Sequence, residues 1–158
     1  VVLGLVEQGF VAEGVTLYVG YQILSKEGAS SYHGPVKVNY YGRKVPPSVH
    51  GTGKLGTPTA SLRLITQAVL RLYDRLVDRD LQVRRMSIAA IRLQPEEEVP
   101  AQLGLYEDDA QAQRETSLLK TSIGLHKRFG KNSLFRGIDL MEAGTTRERN
   151  EQIGGHRK

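Results

Sequence analysis

The sequence contains no cysteine among its 158 residues. Disulfides, cysteine nucleophiles, iron–sulfur clusters and thiolate zinc sites are therefore excluded. No apolar run approaches the ~20 residues of a membrane-spanning helix. The apolar residues 1–6 lack the basic lead and the cleavage site of a signal peptide, and the absence of an initiator methionine favours a piece of a longer protein. With 39% hydrophobic and 25% charged residues, we expect a mostly folded chain with no membrane partner.

Charge is distributed unevenly along the chain. Residues 1–95 carry 12 Lys/Arg and 6 Asp/Glu, residues 96–115 carry 1 and 7, and residues 116–158 carry 9 and 4. A basic body and a basic tail on either side of an acidic connector indicate a polyanionic partner for both basic parts. A solvated surface with ordinary scatter explains the charges equally well, so the distribution alone does not decide.

Alternating apolar residues predict strands in three places. Residues 15–23 alternate as in a strand that is covered on one side. Residues 36–41 predict a second strand, antiparallel to the first. Residues 81–93 predict a third strand with a bulge or bend near Ala90, where the apolar register shifts. The covered face of the first strand comprises Val15, Leu17, Val19 and Tyr21.

A helix is predicted after a loop that is rich in glycine and proline. Residues 42–57 form the loop, because two adjacent prolines and three glycines interrupt any regular pattern. Thr57 and Pro58 predict the helix start, with threonine as the N-cap and proline at the first helical position. The helix ends at residues 78–80. Its apolar stripe, at a spacing of three and four, comprises Leu62, Ile65, Val69, Leu72 and Leu76.

The loop contains Gly51-Thr-Gly53-Lys-Leu-Gly56, which has the spacing of a dinucleotide fingerprint. That function is disfavoured, since such a site requires a buried strand directly before the glycines and two prolines precede them here. A P-loop is disfavoured as well, because Lys54 is followed by leucine rather than serine or threonine. What remains is a flexible basic loop before a helix N-terminus, which suits the binding of one phosphate of a polymer.

No pattern typical of an active site or a metal site is present. The acidic residues of the first 95 positions offer no paired carboxylates at a strand end, as two-metal phosphoryl transfer requires. We therefore expect no catalytic residue, no metal and no cofactor in this chain. The histidines stand far apart, without helical or hairpin spacing: His33, His50, His126 and His156.

The strand at residues 81–93 has two dissimilar faces. Met86 and Ile88 share one face, which is predicted to meet the helix, whereas Arg85 and Ser87 share the other. An exposed sheet face with arginine, serine and a small alanine fits a phosphate backbone without reading bases. A solvated face with a few charges is an equal alternative at this point.

An acidic linker bounded by proline follows at residues 95–100. Isolated apolar residues after it predict a peptide that docks in an apolar groove of a partner, with folding back onto its own domain as the alternative. Residues 109–129 then predict a polar helix, and the remaining residues predict a flexible tail. The candidate docking peptide comprises Gln102, Leu103, Gly104, Leu105 and Tyr106.

Several segments, in this order, are similar to one known family. They are Val15–Tyr21, Tyr40–Pro46, His50–Thr52, Leu72–Arg75 and Val83–Met86 in the body, and Phe129–Asn132 and Thr145–His156 in the tail. From about Phe10 onward the chain resembles the C-terminal part of a Y-family translesion DNA polymerase, of the UmuC/ImpB/MucB/SamB type found in Gram-positive bacteria.

The resemblance implies a little-finger domain from a bacterial cytoplasmic repair enzyme. This domain is an α+β unit with a four-stranded antiparallel sheet and two helices on one face, and its first strand has no counterpart in this sequence. The open sheet face is expected to lie along the backbone of a primer–template DNA without reading its sequence. The candidate DNA-binding residues are Arg84, Arg85 and Ser87 in the strand, and Arg43, Lys44, Lys54 and Thr57 in and beside the loop.

The resemblance also implies a sliding clamp as the partner of the linker peptide. Gly104 and Tyr106 depart from the family's usual clamp-binding peptide. Gln102, Leu103 and Leu105 match it. The candidate clamp-binding residues are therefore Gln102, Leu103, Leu105 and Tyr106.

The palm domain, whose carboxylates hold Mg²⁺ in such polymerases, has no counterpart in the sequence. No catalytic residue is therefore carried over to this chain.

We divide the chain into a DNA-binding domain (1–95), a linker with the clamp peptide (96–110), and a helix with a basic tail (111–158). The alternative function is a protein-interaction module that docks on the polymerase's own catalytic domains or on a recombinase filament.

Overall fold

A computed structural model describes residues 1–25, 32–99, 108–141, 144 and 146–151. The chain divides into two compact units, Val1–Leu103 and Gly104–Lys158. The first unit contains helix α1 (Val2–Gln8), strands β1 (Phe10–Tyr21), β2 (Lys37–Val38), β3 (Lys44–Val45) and β4 (Val49–Thr59), helix α2 (Leu62–Leu76), strand β5 (Val83–Pro95) and a 3-10 turn (Glu96–Glu98). The second unit contains helix α3 (Asp108–Phe129), a 3-10 turn (Gly137–Leu140) and the short helix α4 (Thr146–Asn150).

An antiparallel sheet of three strands, in the order β4–β1–β5, forms the centre of the first unit. Helix α2 packs on β4 and β1, and α1 contacts β1. Alternate residues of β1 face α2, and Val15, Leu17 and Val19 have no exposed surface. The predicted α+β class with an antiparallel sheet is confirmed, as is the covered face of the first strand.

The glycine-rich segment predicted as a loop is strand β4. Gly51 and Gly53 lie beneath α2, where a Cβ on Gly51 would stand 2.7 Å from Cδ1 of Leu76 and one on Gly53 3.3 Å from Cδ1 of Leu72. Because glycine has no side chain, the helix can approach the strand closely at these two positions. The loop prediction for residues 42–57 is wrong from Val49 onward, because Gly51 and Gly53 serve packing rather than a turn, whereas Pro46 and Pro47 do lie between strands.

The predicted helix start at Thr57 is also wrong. Helix α2 begins at Leu62 and has Ser61 as its N-cap, whose Oγ accepts a hydrogen bond from the backbone N–H of Leu64 at 3.4 Å. Thr57 and Pro58 belong instead to an irregular end of β4, where the pairing with β1 shifts register. A proline is tolerated there because the bulged chain leaves the regular hydrogen-bond ladder.

The strand predicted at residues 36–41 is shorter and has a different partner. Only Lys37–Val38 is extended, and it pairs with Lys44–Val45 in a separate two-stranded sheet rather than with β1. The chain turns back immediately after Val38, so no longer strand forms.

Strand β5 differs from the prediction in two respects. The pairing with β1 stays in register at Ala90 and shifts instead at Arg84, and a positive φ of 51° occurs at Arg92. Met86 and Ile88 were expected to meet the helix, yet their side chains are 48% and 38% exposed. They lie on the helix side of the sheet, but α2 covers β4 and β1 and leaves β5 uncovered.

The second unit confirms the predicted polar helix, and the described part of the tail contains side-chain hydrogen bonds. Thr146 Oγ1 donates a hydrogen bond to Asp139 Oδ1 at 2.6 Å, and this bond holds the pKa of the Asp139 carboxyl below its ordinary value. Asn150 Nδ2 donates to Asn132 Oδ1 at 2.9 Å. In the described part of the tail, polar side chains therefore fix the chain where few apolar residues are available.

Across the residues described, none of the helices combines the length and the apolarity needed to cross a membrane.

Candidate nucleic-acid interface

The sheet face opposite α2, called the open face from here on, is the candidate interface. Residues that pair directly across antiparallel strands project to the same side of the sheet. Since Val15, Leu17 and Val19 face the helix, Thr16 and Tyr18, which lie between them in sequence, face the other way. The rows of the open face, from β4 through β1 to β5, are His50–Tyr18–Ser87, Thr52–Thr16–Ala89 and Lys54–Gly14–Ile91, and Gly20 stands beside Arg85.

Small side chains, several of them with hydroxyl groups, predominate in the middle of the open face. Thr52, Ser87 and Ala89 are exposed, and Thr16 is half-buried between them. The side chain of Tyr18 is 41% exposed in the central strand. Short hydroxyl-bearing residues on an extended surface offer donors for phosphate oxygens without blocking the approach of a backbone.

Two cations mark opposite corners of the open face. Lys54 pairs with Gly14, and Arg85 pairs with Gly20, six residues further along β1. At about 3.4 Å per residue the two corners are roughly 20 Å apart along the strand. That length corresponds to the rise of about six base pairs in a DNA duplex.

Acidic charge is nearly absent from the three strands. Glu13 is their one acidic residue, against the four cations Lys54, Arg84, Arg85 and Arg92. Its carboxylate is engaged, with Arg92 Nη1 at 3.7 Å and an amide hydrogen bond from Gln94 Nε2 at 3.5 Å. The sheet therefore presents a net positive charge, which attracts a polyanion.

The structure brings three of the sequence-predicted residues together on the open face. Arg85 and Ser87 lie on β5 as predicted, and Lys54 joins them from β4. Arg84 is exposed beside them, at the register irregularity where Gly20 pairs with Arg85 and Tyr21 pairs with Val83. Arg84 itself has no Cα partner in the pairing of β1 with β5.

The other predicted residues lie elsewhere. Arg43 and Lys44 are exposed on the β2–β3 hairpin, outside the three-stranded sheet. Thr57 is exposed near the end of β4 and is not at the N-terminus of α2. The predicted clamp peptide, Gln102, Leu103, Leu105 and Tyr106, lies outside the described residues.

Sequence reasoning missed the contribution of β4 to the open face. His50 and Thr52 are exposed there next to Lys54, separated by the glycines under the helix. The pattern of a polar residue followed by glycine, repeated from His50 onward, is an alternation of period two. Counting glycine as a covered position would have revealed the strand.

A polar cluster at the C-terminal end of α2 has a structural role. Tyr32 Oη donates to Asp78 Oδ2 at 3.3 Å, and the backbone N–H of Asp78 donates to Tyr21 Oη at 3.1 Å. Burial, and then the nearby Asp78 carboxylate, raise the pKa of Tyr32. Among the described residues no three His, Asp or Glu side chains gather in a way that could hold a metal ion.

The comparisons with known proteins agree with the resemblance that the motifs predicted. The sequence matches the impB/mucB/samB family C-terminal domain over residues 1–105, which include every residue of the open face. It is 34% identical over 105 residues to DNA polymerase IV 2 of Bacillus subtilis (strain 168), across 66% of this chain and 24% of that protein. The chain thus matches about a quarter of that relative's length. No solved structure matches it. The chain belongs to the impB/mucB/samB family and carries its C-terminal domain.

Proposed function

We propose that the open face binds the sugar–phosphate backbone of DNA without reading its sequence, as the C-terminal domain of a translesion DNA polymerase. One observation carries this proposal: three strands present small hydroxyl side chains between cations at opposite corners, and their one acidic residue is paired. The family match and the name of the relative support DNA as the polyanion.

Backbone contact fits the open face better than base recognition. Bases are identified by side chains that reach hydrogen-bonding groups deep in the major groove. Three strands about 4.8 Å apart instead form a surface roughly 10 Å wide, which carries short residues such as Thr16 and Ser87. Such a surface positions a duplex and gives little discrimination between bases.

The test is fluorescence anisotropy of a labelled primer–template, titrated with the full chain at several salt concentrations. Each phosphate contact contributes about −0.9 to the slope of log K against log salt. Contacts from Lys54, Arg84 and Arg85 with the duplex contribute about −3 to this slope, and the affinity should not change when the DNA sequence is scrambled.

Substitution on the two sides of the sheet makes the test specific. Arg84→Ala with Arg85→Ala should reduce the steepness of the slope by about 2. Arg71→Ala with Arg75→Ala removes the same charge from the exposed side of α2 and should leave the slope nearly unchanged. Equal effects of the two double variants would contradict the proposal. Absence of DNA binding would favour the alternative, docking on other polymerase domains or a recombinase filament.

The proposal includes tethering to a sliding clamp through residues 102–106. A tether raises the local concentration of the domain at a primer end without any new DNA contact. Leu103→Ala with Leu105→Ala should abolish binding of the full chain to a sliding clamp and leave DNA affinity intact. Clamp binding that survives both substitutions would contradict this part of the proposal.

Catalysis is assigned to the parts of a polymerase that this chain does not resemble. We expect no primer extension when the chain is given Mg²⁺, nucleotides and a primer–template. Extension above background would contradict that assignment.

A further inference from the structure

The β2–β3 hairpin exposes two adjacent aromatic rings. Tyr40 is 97% exposed and Tyr41 78% exposed, and they occupy the turn between β2 and β3. Their ring centroids are 5.4 Å apart and the rings meet edge to face, at 87°. Single exposed apolar residues need no explanation, but two adjacent tyrosines at one tip place a large aromatic area in water.

The backbone beneath these rings is fixed by local hydrogen bonds. Asn39 Oδ1 accepts from the backbone N–H groups of Tyr41 and Arg43, each at 3.0 Å. Gly42 takes a φ of 71°, and its N–H donates to the carbonyl oxygen of Asn39 at 3.0 Å. The rings are therefore presented from an ordered turn, which lowers the entropy cost of using them to bind a ligand.

The charged residues of the hairpin itself are all basic. Lys37, Arg43 and Lys44 lie within the hairpin and are exposed, and the sequence has no Asp or Glu from residue 28 to residue 73. A ligand that suits this tip carries negative charge and flat apolar faces. Unpaired bases on a sugar–phosphate strand have both, whereas the bases of a duplex are already stacked on each other.

The hairpin lies at the end of the sheet where the arginines of β5 begin. The backbone N–H of Leu24, three residues after β1 ends at Tyr21, donates to the carbonyl oxygen of Lys44 at 3.1 Å. At the same end, Tyr21 pairs with Val83, directly before Arg84 in the sequence. The hairpin is therefore next to the end of the sheet that carries Arg84 and Arg85.

We propose that Tyr40 and Tyr41 stack on unpaired bases of a single-stranded DNA segment next to the duplex, while the hairpin's cations hold its phosphates. This inference rests on the proposed function, since it places the duplex on the open face. It adds a second kind of DNA, the single strand, and a second kind of contact, stacking.

The test compares two DNA molecules with equal charge. Both contain the same duplex with a six-residue single-stranded extension, which carries thymine bases in one molecule and abasic residues in the other. The full chain should bind the extension with bases at least about fivefold more tightly, the effect of one stacked base. Tyr40→Ala with Tyr41→Ala should remove that difference, and Tyr40→Phe with Tyr41→Phe, which keeps both rings, should preserve it.

The outcomes separate this inference from the proposed function. Lys54→Ala with Arg85→Ala should weaken binding of both DNA molecules by the same factor. Salt-dependent binding that is equal for the two extensions would overturn the stacking inference and leave the open face intact. No salt-dependent binding of either DNA would overturn both. Thermal unfolding of the alanine variant should match that of the unmodified chain, because the two side chains are exposed and are not part of the core.

Discussion

The two faces of strand β1 show how one segment provides both a core and a candidate binding surface. Val15, Leu17 and Val19 are fully buried under α2, whereas Thr16 and Tyr18, between them in sequence, remain accessible on the open face. Stability is therefore expected to depend mainly on the buried residues, and the proposed DNA binding on the accessible ones. This separation allows the open face to be altered for binding at little cost to the fold.

The largest expected effect is a difference in stability between substitutions on the two faces of β1. Leu17→Ala should destabilise the chain by about 2–5 kcal/mol, because it removes buried methyl groups and leaves a cavity under α2. Thr16→Ala, on the neighbouring open-face position, should change stability by less than about 0.5 kcal/mol. Urea unfolding followed by circular dichroism measures both. Similar losses for the two variants would show that the open face is part of the core.

A second pair of substitutions compares a glycine that is packed against the backbone, Gly14, with one that is packed against a side chain, Gly51. A Cβ on Gly14 would lie 2.9 Å from the backbone oxygen of Gly53, which cannot move aside. Gly14→Ala should therefore cost about 1–3 kcal/mol, as overpacking does.

The matched variant is Gly51→Ala. Its nearest contact is Cδ1 of Leu76, at 2.7 Å, the far end of a flexible side chain that can rotate away. We expect a smaller loss than at Gly14 in the same unfolding experiment. A larger loss at Gly51 would mean that the packing of α2 on β4 is tighter than that within the sheet.

The smallest effect concerns the segment that joins the sheet to its covering helix. Ser61→Ala should cost about 1 kcal/mol, since it removes the N-cap hydrogen bond to Leu64. Thr57→Ala, at the residue first predicted as the cap, should be close to neutral. Thermal unfolding of the two variants decides between the two helix starts, and the reverse order of losses would restore the sequence-based one.

The covered face of β1 and the helix α2 could be predicted because burial imposes a period on their sequences. Leu17 and Val19 follow a period of two, and Ile65 and Leu72 follow the helical repeat. The placement of Arg85 with Ser87 follows from the same alternation. These features are local, so one strand or one helix is enough to reveal them.

Strand β4 could not be predicted in this way because its glycines are explained by contacts distant in sequence. Gly51 and Gly53 are small because Leu72 and Leu76 lie over them, some twenty residues later in the chain. Without that helix in view, glycine and proline indicate a loop. The exposure of Met86 is a similar case, since it depends on which strands α2 covers.

The turns of the hairpin and of the described part of the tail could not be located from the sequence, because side-chain hydrogen bonds rather than apolar periodicity stabilise them. Asn39 fixes the hairpin turn through two backbone N–H groups. Asp139 and Thr146 tie together two parts of the tail that lie seven residues apart. Such bonds leave no repeating pattern in the sequence.

The central claim is that the open face, and not the helix-covered side, contacts DNA. The most direct measurement is NMR of the full chain with and without a short duplex, recording which backbone amides shift. We predict that the largest shifts occur at Thr16, Tyr18, Thr52 and Ser87, with little change at Thr66, Arg71 and Arg75 on the exposed side of α2. Shifts concentrated on α2, with the open face unchanged, would contradict the account.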